Sequence, residues 1–361
     1  MTLVDQAPVG PAPAERPPSV TARRLGRPLH LGIVAGAVAI GAVSWLPDGA
    51  INWARWALVA LAVYSLGVYV VARAIEGRRK AFDRLMTAIV TSAFLLVSLP
   101  LVSLVWTVID RGRHRLDVDF FTTSMRGVVG EGGGVYHAIV GTLIVTGLAT
   151  LMSVPFGLFT AIYLAEYGHG TRIAKAIQSM VDVMTGIPSI VAGLFAYALF
   201  ELLFGPGTRS GFAGAIALTV LMTPVVVRSS EEMLRLVPNE LREASYALGV
   251  PTWKTIVKVV LPTAVAGLIT GIVLAIARVI GETAPLLVTA GLAQDVNWNP
   301  FDGRMTTLPV STYYQYQQPG IPPAAGQERA WAAALTLIVI VMVLFSAARI
   351  LSTVLKPKGL R

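Results

Sequence analysis

Apolar residues run through this chain in long blocks rather than in alternation, and short segments rich in arginine and lysine separate many of them. The blocks cover residues 29–46, 53–72, 86–109, 138–164, 177–203, 212–227, 264–291 and 331–351. A helix needs roughly 17–25 apolar residues to cross a bilayer, so each block qualifies or nearly does. The shortest, 212–227, is expected to extend to Arg228. No block alternates apolar with polar positions as a membrane barrel strand does, and a backbone in hydrocarbon must satisfy its own hydrogen bonds. The predicted fold is therefore an all-α membrane protein, a polytopic helical bundle.

Composition agrees. The 361 residues are 55% hydrophobic and only 14% charged, against about 25% charged in an average soluble protein. Mean hydropathy is +0.68. Cysteine is absent, which removes disulfides, thiolate metal sites and cysteine nucleophiles. The net charge of +9 comes with no basic stripe interleaved with aromatics, so nucleic acid is not an expected partner. Residues 1–28 carry six prolines among alanines and arginines and are predicted to be a disordered cytosolic tail. Arg23-Arg24 before an apolar run resembles a secretion signal, but no A-x-A site follows and a second apolar run begins at once, so 29–46 reads as a span.

Charge sets the orientation. With the amino terminus in the cytosol, segments 1–28, 73–85, 165–176, 228–263 and 349–361 lie inside and hold 20 of the 29 lysines and arginines. The positive-inside rule then places both termini in the cytosol. Two long segments fall outside, 110–137 with its Gly-rich 130–134 stretch and 292–330 with Trp298 and Tyr313-Tyr314. Their aromatics suit either interface anchoring or a docking surface for an external partner. The Gly-rich stretch reads as a flexible loop and not a phosphate cradle, because no strand-to-helix context surrounds it.

Candidate chemistry is sparse. No G-x-x-x-x-G-K-[ST] loop occurs, so work driven by ATP needs another chain. His30, His114, His137 and His169 show no metal-binding spacing. Asp182 sits near the cytosolic end of its block, where an acid reaches water, and Pro155 and Pro188 are expected within helices, for packing more than hinging. Segment 228–263 is too polar to span. Asn239 is a predicted N-cap there, Gly249 a stop and bend, and Thr252 the start of a second helix.

Within 264–291, Arg278 is followed four residues later by Glu282, one helical turn away on the same predicted face. An arginine at mid-bilayer costs roughly 2.5–3.5 kcal/mol even on a lenient scale and should face the bundle interior. Two readings stay open. The pair neutralises itself, or Arg278 receives an oxyanion in transit, which a guanidinium fork matches, with Glu282 holding it between passages.

Glu243-Ala244-Ser245, Gly249 and Val259-Val260-Leu261-Pro262 resemble the EAA---G---------I-LP signature of ABC importer permeases. Arg278 to Leu287, R-V-I-G-E-T-A-P-L-L, and Gly186 to Phe195 closely resemble segments of phosphate permeases of the PstA type. The likeness covers about 86–352 and implies a type I ABC importer permease-like core of six helices, with two additional N-terminal helices in 29–85 and a cytosolic tail at 353–361. It implies that Glu243, Ala244, Ser245, Gly249, Leu261 and Pro262 couple to an ATPase, and that Arg278, Glu282 and Thr283 line the phosphate path. Small residues at 244, 245 and 247 would admit close approach to a partner groove, and Glu243 would meet a cation there. Implied partners are a PstC-type permease, two PstB-type ATPase subunits holding ATP and Mg, an external PstS-type binding protein and membrane lipid, in a bacterial plasma membrane. The chain would have no cofactor of its own.

Other readings are weaker. An ABC permease for sulfate, molybdate or an amino acid keeps the architecture. A lipid-linked phosphotransferase would want clustered acids within a span, and none is present. A channel or ion-coupled carrier would leave the EAA-like hairpin idle.

Overall fold

The computed structural model describes residues 26–43 and 53–354. The predicted tails, up to Leu25 and from Leu355, and the end of the 29–46 block lie outside the described residues. The described chain is helical, in chain order α1 (Arg27–Val43), α2 (Trp53–Glu76), α3 (Arg78–Gly112), α4 (Val118–Thr122), α5 (Tyr136–Ile162), α6 (Arg172–Thr185), α7 (Ser189–Phe204), α8 (Gly211–Arg235), α9 (Asn239–Ala247), α10 (Thr252–Thr255), α11 (Leu261–Ile280), α12 (Ala284–Thr289), α13 (Leu308–Gln317) and α14 (Pro323–Val354). Single π turns, Tyr163–Tyr167 and Ile256–Val260, extend α5 and join α10 to α11. Among the described residues six helices are long and apolar enough to cross a membrane, or seven if the bent pair α6 and α7 counts as one span, and α1 is a shorter apolar helix.

Two of the predicted spans are broken. The 177–203 block divides at Gly186-Ile187-Pro188 into α6 and α7, which meet at 104°. Pro188 thus caps the start of α7 instead of sitting inside a helix. Proline has no N–H to continue α6, and it pushes the preceding residue out of helical conformation. By contrast α5 runs through Pro155 without interruption. The 264–291 block ends as a helix at Ile280, where Gly281 is the C-cap, and resumes as α12 with Pro285 in its first turn. The 212–227 block reaches further than expected, to Arg235.

The chain divides into two compact units, residues 1–105 and 106–361. In the first, α1 meets α2 where Gly41 admits Trp56 and Ala60, and Trp56 Nε1 donates to the Val38 carbonyl at 3.3 Å. Arg84 on α3 grips Glu76 at the end of α2 through two bonds of 2.5 and 2.8 Å.

In the second unit, α8 is the central element. Val145, Ala149, Leu218, Met222, Ala275, Val279 and Leu286 form one buried cluster drawn from α5, α8, α11 and α12. Without apolar solvation to drive them together, membrane helices associate by close packing of small residues. Gly267 and Gly271, one turn apart on α11, lie against Met233 and Ser229 of α8, and Gly157 of α5 lies against Val226. The outer segments close the other end, with the Phe212 N–H on the Pro300 carbonyl at 2.7 Å and the Leu308 N–H on Thr142 Oγ1 at 2.7 Å.

A Gly271→Leu substitution should push α11 from α8 at Ser229. Overpacking of this kind costs about 1–3 kcal/mol, and a lowered thermal midpoint in detergent, with Gly36→Leu on open surface of α1 as control, is the expected result.

Candidate functional site

The register between α8 and α11 fixes the depth of Arg278. Gly267 faces Met233, Gly271 faces Ser229, and further out Leu286 faces Gly214. Each such pair of numbers sums to 500, so Arg278 stands level with Met222, halfway along the Gly211–Arg235 helix. The expected mid-span position of the arginine therefore holds, although the helix carrying it ends two residues later.

The expected pairing with Glu282 does not form. Because α11 stops at Ile280, Glu282 lies beyond the helix end, its N–H bonded to the Val279 carbonyl at 3.1 Å, and not one turn along the same face. Among the described residues neither Arg278 nor Glu282 belongs to an ion pair. Arg278 is exposed in this single chain, and Glu282 and Thr283 are half-buried. Thr270, Leu274, Arg278 and Gly281 form one open face of α11. A lone guanidinium at that depth is too costly to leave against acyl chains, so this face requires protein or water over it.

Broken helices add to the site. Gly193 on α7 has no side chain where Pro285 of α12 packs, and a Cβ at that position would lie 2.5 Å from the Pro285 Cα. By the same register α12 lies further along than Arg278, with Leu286 against Gly214, and the Ser210 N–H on the Thr289 carbonyl at 3.1 Å places the end of α12 beside the start of α8. A helix start presents free N–H groups and a partial positive charge, here Ser189 and Ile190 of α7. Arg278 on the open face of α11, with Glu282 and Thr283 at the break that ends it, thus marks a mid-membrane groove along this helix. At the outer end of α12, Gly291 adopts φ of +75° and packs between the side-chain stems of Arg209 and Arg304. Sequence reading missed these two cations, because only the fold brings them together.

In the 228–263 segment, α9 ends as expected at Gly249, whose φ is +74°. The Gly249 N–H bonds to the Tyr246 carbonyl at 2.9 Å and the Val250 N–H to the Ser245 carbonyl at 3.2 Å, the paired bonds of a glycine helix stop. Pro238, not Asn239, occupies the N-cap, and Asn239 Oδ1 instead accepts from Arg242 Nη1 at 3.3 Å. Ser245 does not face outward as expected. It is buried, with its hydroxyl 2.8 Å from that of Thr255, and so locks α9 to α10. Glu243 and Ala244 are exposed, and Leu241, Tyr246, Leu248 and Trp253 make an apolar surface around them, Leu248 being 83% exposed. Leu261 begins α11 half-buried, with Pro262 exposed in its first turn.

The hairpin is fastened by a pair that sequence reading also missed. Arg242 of α9 binds Glu166, in the π turn ending α5, at 2.8 Å, and donates to the Val237 and Leu234 carbonyls at 2.5 and 2.9 Å. Side-chain exposure is 14% for Arg242 and 4% for Glu166. Nearby, exposed Asp182 of α6 pairs with Arg228 of α8. No group of three or more potential metal ligands occurs among the described residues.

Residues 153–358 match the family described as binding-protein-dependent transport system inner membrane component. The chain is 49% identical over 282 residues to the phosphate transport system permease protein PstA 1 of Mycobacterium tuberculosis (strain CDC 1551 / Oshkosh), which covers 77% of this chain and 91% of that protein. Its identity to the phosphate transport system permease protein PstA of Pasteurella multocida (strain Pm70) is 39% over 275 residues, 75% of this chain and 95% of the relative. A chain of the inward facing MetNI methionine ABC transporter is 21% identical, with 62% of this chain and 95% of that one covered and a TM-score of 0.47.

Removing one partner of a buried ion pair costs about 3–5 kcal/mol. Arg242→Met should therefore lower the thermal midpoint in detergent more than Arg126→Met, whose exposed pair with Asp295 is worth about 0–1 kcal/mol.

Proposed function

Since the chain belongs to the binding-protein-dependent transport system inner membrane components, as a permease of the PstA type, we propose that it carries inorganic phosphate across the membrane as one subunit of an ATP-driven importer. It is a multi-pass membrane protein with type I ABC importer permease architecture, and the alternative cargoes sulfate, molybdate and amino acids are not favoured. Its sequence holds no nucleotide-binding loop, so hydrolysis belongs to partner subunits that bind ATP and Mg, and the chain itself needs no cofactor.

The observation that carries the mechanism is the unpaired Arg278 at the level of Met222. An anion in a low-dielectric path is stabilised by a guanidinium that has no carboxylate competing for it, and a helix start adds a smaller positive contribution. Glu282 and Thr283 at the same break would then act on the anion's release and its hydrogen bonding. The open face through Thr270, Leu274, Arg278 and Gly281 is the natural contact for a second permease, of the PstC type, which would close the groove into a path.

Below, two PstB-type ATPase subunits would act on the permease pair, one of them seating on Glu243, Ala244, Tyr246, Leu248 and Trp253. Gly249, Ser245 and the Leu261-Pro262 start of α11 make the hairpin a rigid lever. The Glu166–Arg242 pair connects it to α5, and the π turn before Leu261 connects it to the helix that carries Arg278. ATP-driven closure of the ATPase dimer would thereby reach the mid-membrane groove and open it alternately to either side. An external PstS-type protein would deliver phosphate at the segments 110–137 and 292–330, with both termini of this chain in the cytosol. The segment 29–85 would add two helices to the 86–352 transport core.

Arg278→Ala should abolish uptake of labelled phosphate into proteoliposomes holding the whole complex, with co-purification of the ATPase subunits unchanged. Uptake at the wild-type rate would remove Arg278 from the mechanism. Leu248→Glu should have the opposite pattern, losing the ATPase subunits from the purified complex because a charge replaces the most exposed apolar side chain of the hairpin.

A further inference from the structure

A second cation outside any ion pair lies away from the mid-membrane groove, and this one is buried. Arg329 of α14 is 5% exposed and belongs to no ion pair among the described residues. Its Nη1 donates to the carbonyls of Gly130 and Gly132 at 2.8 and 3.0 Å, and its Nε to Gln315 Oε1 at 3.2 Å. All three acceptors are neutral, and Nη2 has no partner among the described residues. The Gly-rich stretch is thus not a loose loop in its contacts. Gly130 and Gly132, with φ of +83° and +85°, turn their carbonyls onto this guanidinium.

Arg329 opens into a cavity of about 470 Å³ together with His137, Ser311, Tyr314, Gln315 and Gln294. No aspartate or glutamate lines it. His137, at the start of α5, is 4% exposed, and neither ring nitrogen has a protein hydrogen bond, Nδ1 being fully enclosed without one. Buried polar groups in native proteins mostly find partners, and one that borders a cavity can bond to water or to a ligand held there. Of the surrounding charges, Asp295 is held by Arg126 at 2.9 Å, Glu328 is exposed, and Arg115 is paired with Asp117.

We propose that this cavity, on the side of the segments 110–137 and 292–330, is a binding site for a small oxyanion, which takes Nη2 of Arg329 and the hydroxyl of Ser311 as donors, with His137 beside them. A guanidinium edge with one free terminal nitrogen and no rival carboxylate is suited to an oxyanion, and the volume, within the range of small-ligand pockets, leaves room for accompanying water. Such a site holds the anion at the external surface before it reaches the mid-membrane groove. Phosphate as the occupant rests on the proposed function, whereas the oxyanion chemistry rests on Arg329 alone.

The chain has no cysteine, so Ala293→Cys introduces its sole thiol in the cavity lining, at a residue that takes no part in the proposed contacts. In the purified complex lacking the external binding protein, labelling of that thiol is followed by mass spectrometry of this chain. An anionic methanethiosulfonate should react at least threefold faster than a cationic one. Inorganic phosphate, against equal ionic strength of sodium chloride, should slow labelling at least threefold, and adding Arg329→Gln should remove both effects. Unchanged labelling with phosphate and with sulfate overturns the site, as does protection given only by the anion-free binding protein, which would make the cavity a seat for a carboxylate of that partner. Protection by sulfate but not phosphate supports the oxyanion site while counting against phosphate as the cargo. His137→Phe offers a second variant, expected to weaken protection, should Arg329→Gln fail to fold.

Discussion

A guanidinium midway through a membrane bundle, with no carboxylate to offset it, constrains everything around it. Lipid cannot cover Arg278 cheaply, so the open face of α11 needs protein or water over it. The helix that bears it ends two residues later, which leaves backbone carbonyls at a depth where hydrocarbon cannot satisfy them. Irregular backbone at such depth is tolerated where it lines a polar path. The charge, the broken helices α6/α7 and α11/α12, and the open groove are therefore parts of one arrangement.

The same chain links its α9–α10 hairpin to that depth through packed helices. Membrane helices have little hydrophobic incentive to stay together, and here close glycine contacts hold α11 and α5 on α8. The hairpin α9–α10 is joined to this packed body at two points, by Glu166–Arg242 and by the continuous π turn into α11. A force applied at Leu248 or Tyr246 has a stiff route to Arg278, with no loop in between to absorb it.

Arginines also organise the end of the bundle formed by segments 110–137 and 292–330, each by a different means. Arg126 pairs with Asp295 across the two outer segments, Arg115 with Asp117, and Arg329 is taken up by backbone carbonyls of the Gly-rich stretch. Carbonyls orient a guanidinium without cancelling its charge. That is why Arg329 fastens segment 110–137 to α14 and yet leaves a positive site in the cavity it lines.

Local chemistry was enough for much of this protein. Block length and charge placement identified the helices, because in hydrocarbon a backbone has few alternatives, and Gly249 announced its turn because a positive φ suits glycine alone. The mid-span depth of Arg278 also followed from counting. Whether Arg278 met Glu282 did not, since a helix period running through Gly281 would bring them together, and the helix instead ends at Ile280 with Gly281 as its cap. Ser245 turning inward to Thr255, Glu166 finding Arg242, Arg209 meeting Arg304 at Gly291, and Arg329 sharing a cavity with His137 are likewise settled by tertiary packing. Each joins residues far apart in the chain or on opposite sides of a bend, and a linear pattern carries no record of such distances.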